Sequence, residues 1–308
     1  MNKNIKVTIG IPVYKSADNI GRLLLALSKQ KETNFSIKSI VCYIDAPGDD
    51  TPGVVLALAK KHKRIRVFNR KQRKGMAYGF KFMLNKFRDD VFVLLNDDIL
   101  VTSKDFISNL VQPFINERSI GLVSGNPQPL KPKNFIQNAI TSTFRSFERT
   151  RYSFDNGNNG LTCDGKIIAL SENLISKLKF PQNMSNLGNV DSFLFLSCKK
   201  YGFTYKHART AIAYFEFPDN FHDYVNWTTR NNSNKYVMFK LFGDSIQKEY
   251  EMPMLEHIQS RLIETIRNPL GSIFIFFAGS WTKMRARSYS NHFSATWDVV
   301  SSTKKRLG

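Results

Sequence analysis

Acidic side chains follow two apolar runs of the sequence, at the point where each run ends. Asp45 ends the run 40–44, and Asp97 with Asp98 follows the run 91–95. Neighbouring carboxylates can hold a hard divalent cation, and such a cation neutralises a pyrophosphate. The alternative is that these residues are turn formers and helix caps, because aspartate is common in both. Two acidic sites at run ends favour the cation interpretation.

A basic stretch that contains glycine is the second candidate for chemistry. No acidic residue occurs from Thr51 to Arg88, and the cations of this region concentrate just before a predicted helix. The stretch holds Arg70, Lys71, Arg73, Lys74, Gly75 and Gly79. A helix N-terminus with cations and flexible backbone suits an anionic phosphate. The alternative is a solvated basic turn.

Alternating strand and helix patterns must position these residues. Short β-rich apolar runs alternate with segments whose apolar residues recur at helical spacing, as in Ile20, Leu23, Leu24 and Leu27. Strands are predicted at 7–11, 40–44, 65–68, 91–95 and 120–123. Nearly continuous apolar strands separated by helices predict an α/β fold, a mainly parallel sheet with helices on both faces. Ligands of such sheets bind outside the carboxyl ends of the strands, where Asp45 and Asp98 would lie.

The pattern changes along the chain and predicts two parts. It loosens from 126 to 164, which contains three prolines, and resumes at 166–170. After Phe217-Pro218 the alternation does not return, and apolar residues recur at helical spacing from 255 to 266. We therefore predict a catalytic α/β domain at 1–216 and a basic, amphipathic, helical extension at 217–308.

Composition indicates a folded protein with anionic partners. The 308 residues are 42% hydrophobic and carry a formal net charge of +20, which favours phosphates, acidic lipids or nucleic acid. The three cysteines, Cys42, Cys163 and Cys198, lie far apart, so we interpret them as reduced residues of a cytoplasmic protein.

The stretch 7–14, Asp45 and the Asn96-Asp97-Asp98 triplet together resemble family 2 of the inverting glycosyltransferases, which have the GT-A fold. The similarity extends over residues 5–235 when later motifs are included. It implies a Rossmann-like, mainly parallel sheet. It also implies transfer of a hexose from a nucleoside-diphosphate sugar, with UDP-sugars favoured, to a hydroxyl of a glycan or glycolipid, with Mg²⁺ or Mn²⁺ as cofactor.

On the nucleotide side, the resemblance implies that Pro12 and Tyr14 lie near the base and that Asp45 recognises it. Lys74 falls in the Lys/Gly-rich loop that such enzymes place beside the nucleotide.

On the metal side, the resemblance aligns the family's Asp-x-Asp motif with residues 96–98. Its last aspartate falls on Asp98, which would bind the metal, and Asp97 would contact the nucleotide sugar. Its first position holds Asn96 instead of aspartate, which weakens the ribose or metal contact expected there.

Two later motifs complete the implied site. Asp191 falls on the aspartate of the family's Glu-Asp motif, where Val190 replaces the glutamate, and would be the general base. Arg230 matches the arginine of a Gln-x-x-Arg-Trp motif whose other residues are missing, and would contact the diphosphate. The alternatives are a helix cap for Asp191 and a structural role for Arg230. Without the full motif we do not expect a processive polymer synthase.

The C-terminal extension combines aromatic residues with cations. The apolar segment 273–277 precedes Lys283, Arg285 and Arg287. It would either lie in a membrane interface facing anionic lipid, which would bring the enzyme to a lipid-linked acceptor of the cell envelope, or bury its phenylalanines on the catalytic domain or in a dimer. The expected location is the cytoplasm, at the inner face of the membrane under the first alternative.

Two other function classes are alternatives for this sequence. A non-enzymatic nucleic-acid binder would explain the charge of +20 but not the acidic strand ends, which would repel a phosphate backbone, so no nucleic-acid partner is expected. A nucleotidyltransferase would need a Gly-rich loop after the first strand, where residues 12–15 are Pro-Val-Tyr-Lys. The absence of a G-x-x-x-x-G-K-[ST] motif argues against a P-loop NTPase.

Overall fold

The computed structural model describes residues 4–86, 89–182, 187, 189–289 and 300–307. The strands are β1 (Ile5–Val13), β2 (Phe35–Asp45), β3 (Ile65–Arg70), β4 (Val91–Leu95), β5 (Ile120–Pro129), β6 (Ile167–Ser171) and β7 (Thr204–Phe215). The helices are α1 (Ala17–Ser28), α2 (Thr51–Lys61), α3 (Met76–Lys86), α4 (Phe106–Asn116), α5 (Phe135–Tyr152), α6 (Glu172–Ile175), α7 (Val190–Lys200), α8 (Phe221–Phe242), α9 (Met254–Arg267) and α10 (Pro269–Tyr289).

The strands form one seven-stranded sheet in the order β3-β2-β1-β4-β6-β5-β7. All neighbours are parallel except β6, which runs antiparallel to both β4 and β5. The chain leaves β5 at the carboxyl edge of the sheet, forms α5 there, and so enters β6 from that edge. The predicted α/β fold with a mainly parallel sheet is confirmed.

Helices cover both faces of the sheet because its central strands are apolar on both sides. β4 is buried at all five positions. One core packs α1, α2 and α4 on the sheet, and the four apolar residues predicted to share a face of α1 are buried in it. The second core packs α3 and α7 on the opposite face. Since β1, β2 and β4 are parallel, their carboxyl ends lie along one edge.

The last strand ends at Phe215, and only helices and short 3₁₀ turns follow it in the described residues. α10 packs on α8 and α5, and α9 packs on α5. Buried Glu264 of α9 receives hydrogen bonds from Arg145 and Arg149 of α5. The division into a domain at 1–216 and an extension at 217–308 stays a prediction. Among the described residues, no helix is long and apolar enough to cross a membrane.

One side of α10 is buried and the other is exposed. Ile275 and Ala278 pack with residues of α5 and α8, whereas Phe276 and Phe277 are 68% and 67% exposed. The helix therefore packs on α5 and α8 without burying all of its phenylalanines. Arg287, one of the cations considered beside this segment, has a side chain outside the described set.

Candidate active site

A cleft of about 370 Å³ opens at the carboxyl edge of β1, β2 and β4. Of the residues singled out in the sequence, Pro12, Tyr14, Asp45, Asn96, Asp97, Asp98, Asp191 and Arg230 line it. These residues come from positions up to about two hundred residues apart, and the parallel strands bring them together because ligand-facing loops follow the carboxyl ends. Lys74, which was predicted to lie beside the nucleotide, does not line this cleft.

The Asp45 carboxylate holds the basic loop in place. The backbone N–H of Lys74 donates to its Oδ1 at 2.8 Å, and the N–H of Gly75 donates to its Oδ2 at 2.7 Å. Asp45 is 5% exposed. Gly75 has a φ of 93°, which favours glycine at this point of the turn. The carboxylate thus fixes the shape of the loop that leads into α3.

This loop turns Arg73 into the cleft and Lys74 away from it. The Arg73 guanidinium lies 4.1 Å from the centre of the Tyr14 ring, a cation–π contact. The Lys74 ammonium lies 5.1 Å from the ring of Tyr78 instead. Arg73 was visible as part of the basic stretch, but spacing alone did not show which cation would face the ligand.

Two side-chain oxygens at the end of β4 are buried without a hydrogen-bond partner: Oδ1 of Asn96 and Oδ1 of Asp98. Buried acceptors are normally satisfied, so both suit a ligand or cation. Asp97 differs, because its Oδ2 accepts the Tyr14 N–H at 2.9 Å. No group of three His, Cys, Asp or Glu that could hold a metal occurs in the described part of the chain.

A metal at this edge would therefore depend on Asp98 and on oxygens that a substrate brings. Mg²⁺ is commonly held by one or two carboxylates together with substrate phosphates and water. The Oδ1 atoms of Asn96 and Asp98, which have no hydrogen-bond partner, fit that mode of binding. Of these two residues, Asp98 is the one that offers a carboxylate oxygen to a cation.

Lys304 reaches the same place from the C-terminal end. Its Nζ lies 2.5 Å from Oδ1 of Asp97 and 3.4 Å from Oδ2 of Asp98. Although burial acts to lower it, the two carboxylates hold the pKa of Lys304 above its ordinary value, so the amine stays charged. Lys304 was not among the residues predicted for the site, because no sequence motif links it to the strand ends.

Asp191 lies in the first turn of α7 and faces the cleft. Its Oδ1 accepts the N–H of Ser192 at 2.7 Å, and its Oδ2 accepts that of Gly165 at 3.1 Å. Desolvation, followed by the negative charge of Asp164, raises the pKa of Asp191 to about 6. Asp191 is thus a base that is mostly ionised at neutral pH and can still take up a proton.

Asp164, beside it, shows the opposite shift. Burial acts to raise the pKa of Asp164, but the charge and hydrogen bonds of Lys166, together with the charge of Arg151, lower it below its ordinary value. The Lys166 Nζ lies 3.4 Å from Oδ1 of Asp164. Two neighbouring carboxylates with pKa values displaced in opposite directions are typical of sites that move protons. Neither Asp164 nor Lys166 was selected from the sequence.

A second cavity of about 350 Å³ adjoins the cleft at Asp191. Its walls come mainly from α5 and α8, with contributions from α9 and α10, and many of its side chains are aromatic. They include Phe144, Phe147, Phe215, Phe217, Tyr224 and Trp227, with the cations Arg151 and Arg261. Asp191 therefore stands between a polar cleft and a largely apolar cavity.

Arg230 extends from α8 into the polar cleft, and Trp227 and Asn231 of the same helix line both cavities. Trp227 packs on Phe217 with ring centres 5.7 Å apart. α8 therefore supplies the wall between the two cavities, and Arg230 is the cation that it presents to the cleft.

The chain is similar in sequence and fold to known proteins. A family model described as "Glycosyl transferase family 2" matches residues 8–178, which is more than half of the chain. No curated protein matches the sequence.

Solved structures with the same fold include the mannosyltransferase PcManGT from Pyrobaculum calidifontis, in complex with GDP-Man and Mn²⁺. It is 17% identical, with a TM-score of 0.59, covering 96% of this chain and 77% of that one. Another is glucosyl-3-phosphoglycerate synthase from Mycobacterium tuberculosis with Mn²⁺, UDP and phosphoglyceric acid. It is 14% identical, with a TM-score of 0.55, covering 77% of this chain and 78% of that one. The same synthase with Mg²⁺ and UDP is 13% identical, with a TM-score of 0.52, covering 77% and 79%.

Proposed function

The chain belongs to glycosyl transferase family 2, and we propose that it transfers a hexose from a nucleoside-diphosphate sugar to an acceptor hydroxyl with inversion, with Asp191 as the general base. The observation that carries this proposal is the position of Asp191. Its carboxylate has a pKa raised to about 6 and lies where the polar cleft meets the apolar cavity. A sugar in the cleft and an acceptor in the cavity would both reach it.

In this mechanism Asp191 takes the proton of the acceptor hydroxyl as the oxygen attacks the anomeric carbon. The bond from that carbon to the diphosphate breaks on the opposite side, and the nucleoside diphosphate leaves with the electron pair. Attack opposite the leaving group inverts the anomeric centre. The N–H groups of Gly165 and Ser192 orient the carboxylate through its two oxygens.

The donor occupies the polar cleft in this proposal. Pro12 and Tyr14 lie at the nucleotide, Asp45 at the base and Arg230 at the diphosphate. Mn²⁺ or Mg²⁺, held by Asp98, would neutralise charge on the leaving diphosphate. We propose a UDP-sugar as the first donor to test, and GDP-mannose beside it, because the neighbours with this fold were solved with UDP and with GDP-Man.

Lys74 contributes to the proposed donor site through its backbone and not through its side chain. Its contribution to the donor site is its backbone N–H, which donates to Asp45. We propose Arg73, stacked on Tyr14, as the cation of this loop that meets the nucleotide.

The acceptor is proposed to be lipid-linked. The cavity beside Asp191 is lined mainly by aromatic side chains, with Arg151 and Arg261 among them. Such walls suit an acceptor with an apolar part and an anionic group, as in a glycolipid or a lipid-linked glycan of the cell envelope.

Helices α9 and α10 expose an apolar face that supports peripheral membrane binding. On α9, Leu255, Ile258, Leu262 and Ile266 follow one helical side and are 66%, 50%, 57% and 82% exposed. On α10, Leu270, Ile273, Phe277 and Met284 are 70%, 56%, 67% and 71% exposed. Groups of exposed apolar side chains mark interaction surfaces, and cations such as Arg267, Lys283 and Arg285 would favour anionic lipid.

Nucleotide release tests the proposed transfer. Wild type is incubated with UDP-, GDP- and dTDP-sugars and either Mn²⁺ or Mg²⁺, beside Asp98→Ala and Asp191→Asn. We expect metal-dependent release from one donor and its loss in Asp98→Ala. We also expect a fall in kcat of about 10²- to 10⁴-fold in Asp191→Asn with donor binding retained. No binding or turnover of any donor, together with tight nucleic-acid binding, would overturn the proposal.

Flotation with vesicles tests the membrane part separately. Ile266→Asp and Phe277→Asp should reduce binding to vesicles that contain anionic phosphatidylglycerol, and pure phosphatidylcholine vesicles should bind wild type less. Leu56→Asp is the matched control, because Leu56 is 48% exposed on α2, outside this face. Equal flotation of all variants would exclude α9 and α10 as the membrane surface.

A further inference from the structure

Residues 300–307, named here the C-terminal strap, form a fixed wall of the donor cleft. The side chain of Asn19, which is 2% exposed, binds this strap at three points. Its Nδ2 donates to the carbonyl oxygens of Lys304 and Lys305 at 3.1 and 2.9 Å, and its Oδ1 accepts the N–H of Leu307 at 3.0 Å. Leu307 itself is 2% exposed.

The other end of the strap is attached to α8. Asp223, which is 2% exposed, accepts the N–H of Ser302 at 2.8 Å and the hydroxyl of Ser301 at 3.2 Å. Outside the cleft, Lys305 pairs with Asp219 at 2.7 Å. The Lys305 side chain is 67% exposed, so this pair is a surface contact. The buried side chains of Asn19 and Asp223 hold the backbone on both sides of residue 304, and these two anchors set the direction of the Lys304 side chain.

The Lys304 side chain points into the cleft and is 19% exposed. Its Nζ contacts Oδ1 of Asp97, whose Oδ2 is occupied by the Tyr14 N–H. Asp97 is 4% exposed, and removing the cation from a buried carboxylate is costly. Lys304 therefore stays with Asp97, while Oδ1 of Asp98 keeps no protein partner.

We propose that Lys304 is a donor-binding residue, whose ammonium neutralises the diphosphate of the sugar nucleotide beside the cation-binding carboxylate of Asp98. The inference rests on the proposed function, because it requires a nucleoside diphosphate in this cleft. A lysine ammonium with three donors can bind Asp97 and still offer hydrogen bonds to phosphate oxygens. The 3.4 Å between Nζ and Asp98 places this charge at the metal-binding end of the cleft.

The opposite hypothesis is that the strap is a plug, with Lys304 standing in for the metal and leaving when the donor arrives. The anchors on Asn19 and Asp223 argue against it, because departure would break several hydrogen bonds of buried groups. The two hypotheses predict opposite changes in nucleotide affinity when the ammonium is removed.

Calorimetric titration with free UDP and GDP separates them. Thermal melts first identify the folded variants. Wild type, Lys304→Met and Lys304→Gln are then titrated with each nucleotide, once in the presence of Mn²⁺ and once in the presence of EDTA. We expect neutral variants to bind the nucleotide about 10- to 100-fold more weakly, since a charged hydrogen bond is lost. The loss should persist in EDTA, and Lys304→Arg should restore part of the affinity.

Lys305→Met is the matched control, because it removes the same charge one residue away, where the ammonium faces Asp219 outside the cleft. It should bind nucleotide within about twofold of wild type, a difference of less than 1 kcal/mol. Unchanged affinity in the neutral Lys304 variants would refute the donor role, and tighter binding would establish the plug. Wild type that binds no nucleotide under any condition would instead refute the proposed function.

Discussion

Asp191→Asn should make the protein more stable, relative to wild type, as the pH rises. The cleft holds the pKa of Asp191 at about 6 against an ordinary value of 3.8. Each unit corresponds to about 1.36 kcal/mol, so the displacement of about 2 units makes the charged carboxylate cost about 3 kcal/mol of folding free energy. The charged form of Asp191 is thereby predicted to destabilise the fold that carries it.

The sign follows from the raised folded pKa. Below the unfolded pKa of Asp191 the carboxyl is neutral in both states, and wild type keeps its full folding stability. Wild type loses stability as the pH rises through about 6, because the buried carboxyl then becomes charged. Asparagine carries no charge at any of these values. The variant also loses one good acceptor for the N–H of Gly165 or Ser192, but this cost does not depend on pH. The stability difference should therefore move in favour of the variant by about 2–3 kcal/mol between pH 4 and pH 8.

Urea unfolding at several pH values measures this difference. A change of about 2–3 kcal/mol corresponds to a midpoint shift of about 1 M for a chain of this size. Asp18→Asn makes the same chemical change at an exposed position of α1, and its pH dependence is the baseline to subtract. A difference between Asp191→Asn and wild type that stays constant from pH 4 to pH 8 would refute the reasoning.

The same pKa sets the activity profile of wild type. A base must be ionised to accept a proton, so kcat/KM should fall about tenfold per pH unit below about pH 6 and level off above it. Stability and activity should thus change in opposite directions over the same range of pH. Activity that is independent of pH from 5 to 8 would contradict the assignment of Asp191 as the base.

Three further predictions concern other parts of the fold. Asp164→Asn removes the negative charge that helps to raise the pKa of Asp191, so the acid limb of the kcat/KM profile should move to lower pH. Glu264→Gln should destabilise the protein by about 1–3 kcal/mol in urea unfolding, since its arginine partners are partly exposed. Arginine hydrogen bonds lower the pKa of Glu264 against the effect of burial, so this loss should vanish as the pH falls through the acid range. Gly79→Ala places a Cβ 2.6 Å from a buried tyrosine ring and should cost about 1–3 kcal/mol, whereas Gly279→Ala meets nothing within 4 Å and should stabilise α10 by about 0.5–1 kcal/mol. Thermal melts distinguish the last pair by the sign of the change.

Local patterns were sufficient for most of the secondary structure. The fourth strand was predicted at 91–95 and forms there, because a fully apolar run between polar residues has one way to be buried in a sheet. The apolar face of α1 followed from its spacing. Other elements were located correctly but are longer than predicted, such as β5, which continues to Pro129 and stays paired with β7 to that residue.

The direction of β6 could not be predicted in this way. Its residues 167–171 are as apolar as those of a parallel strand, and periodicity carries no information about strand direction. The direction of β6 depends on the edge from which the chain enters it. Because α5 lies at the carboxyl edge of the sheet, β6 starts there and runs antiparallel to β4 and β5. The same excursion carries Asp164 and Lys166 to the cleft.

The sequence by itself determined the alternation of strands and helices, and with it the edge where Asp45, Asp97 and Asp98 had to gather, because burial of apolar residues is a local, periodic constraint. Tertiary structure decided which charges face the cleft. The turn held by Asp45 selects Arg73 over Lys74, and the strap carries Lys304 to Asp97 across more than two hundred residues. Such contacts depend on how distant segments meet, and no local pattern encodes them.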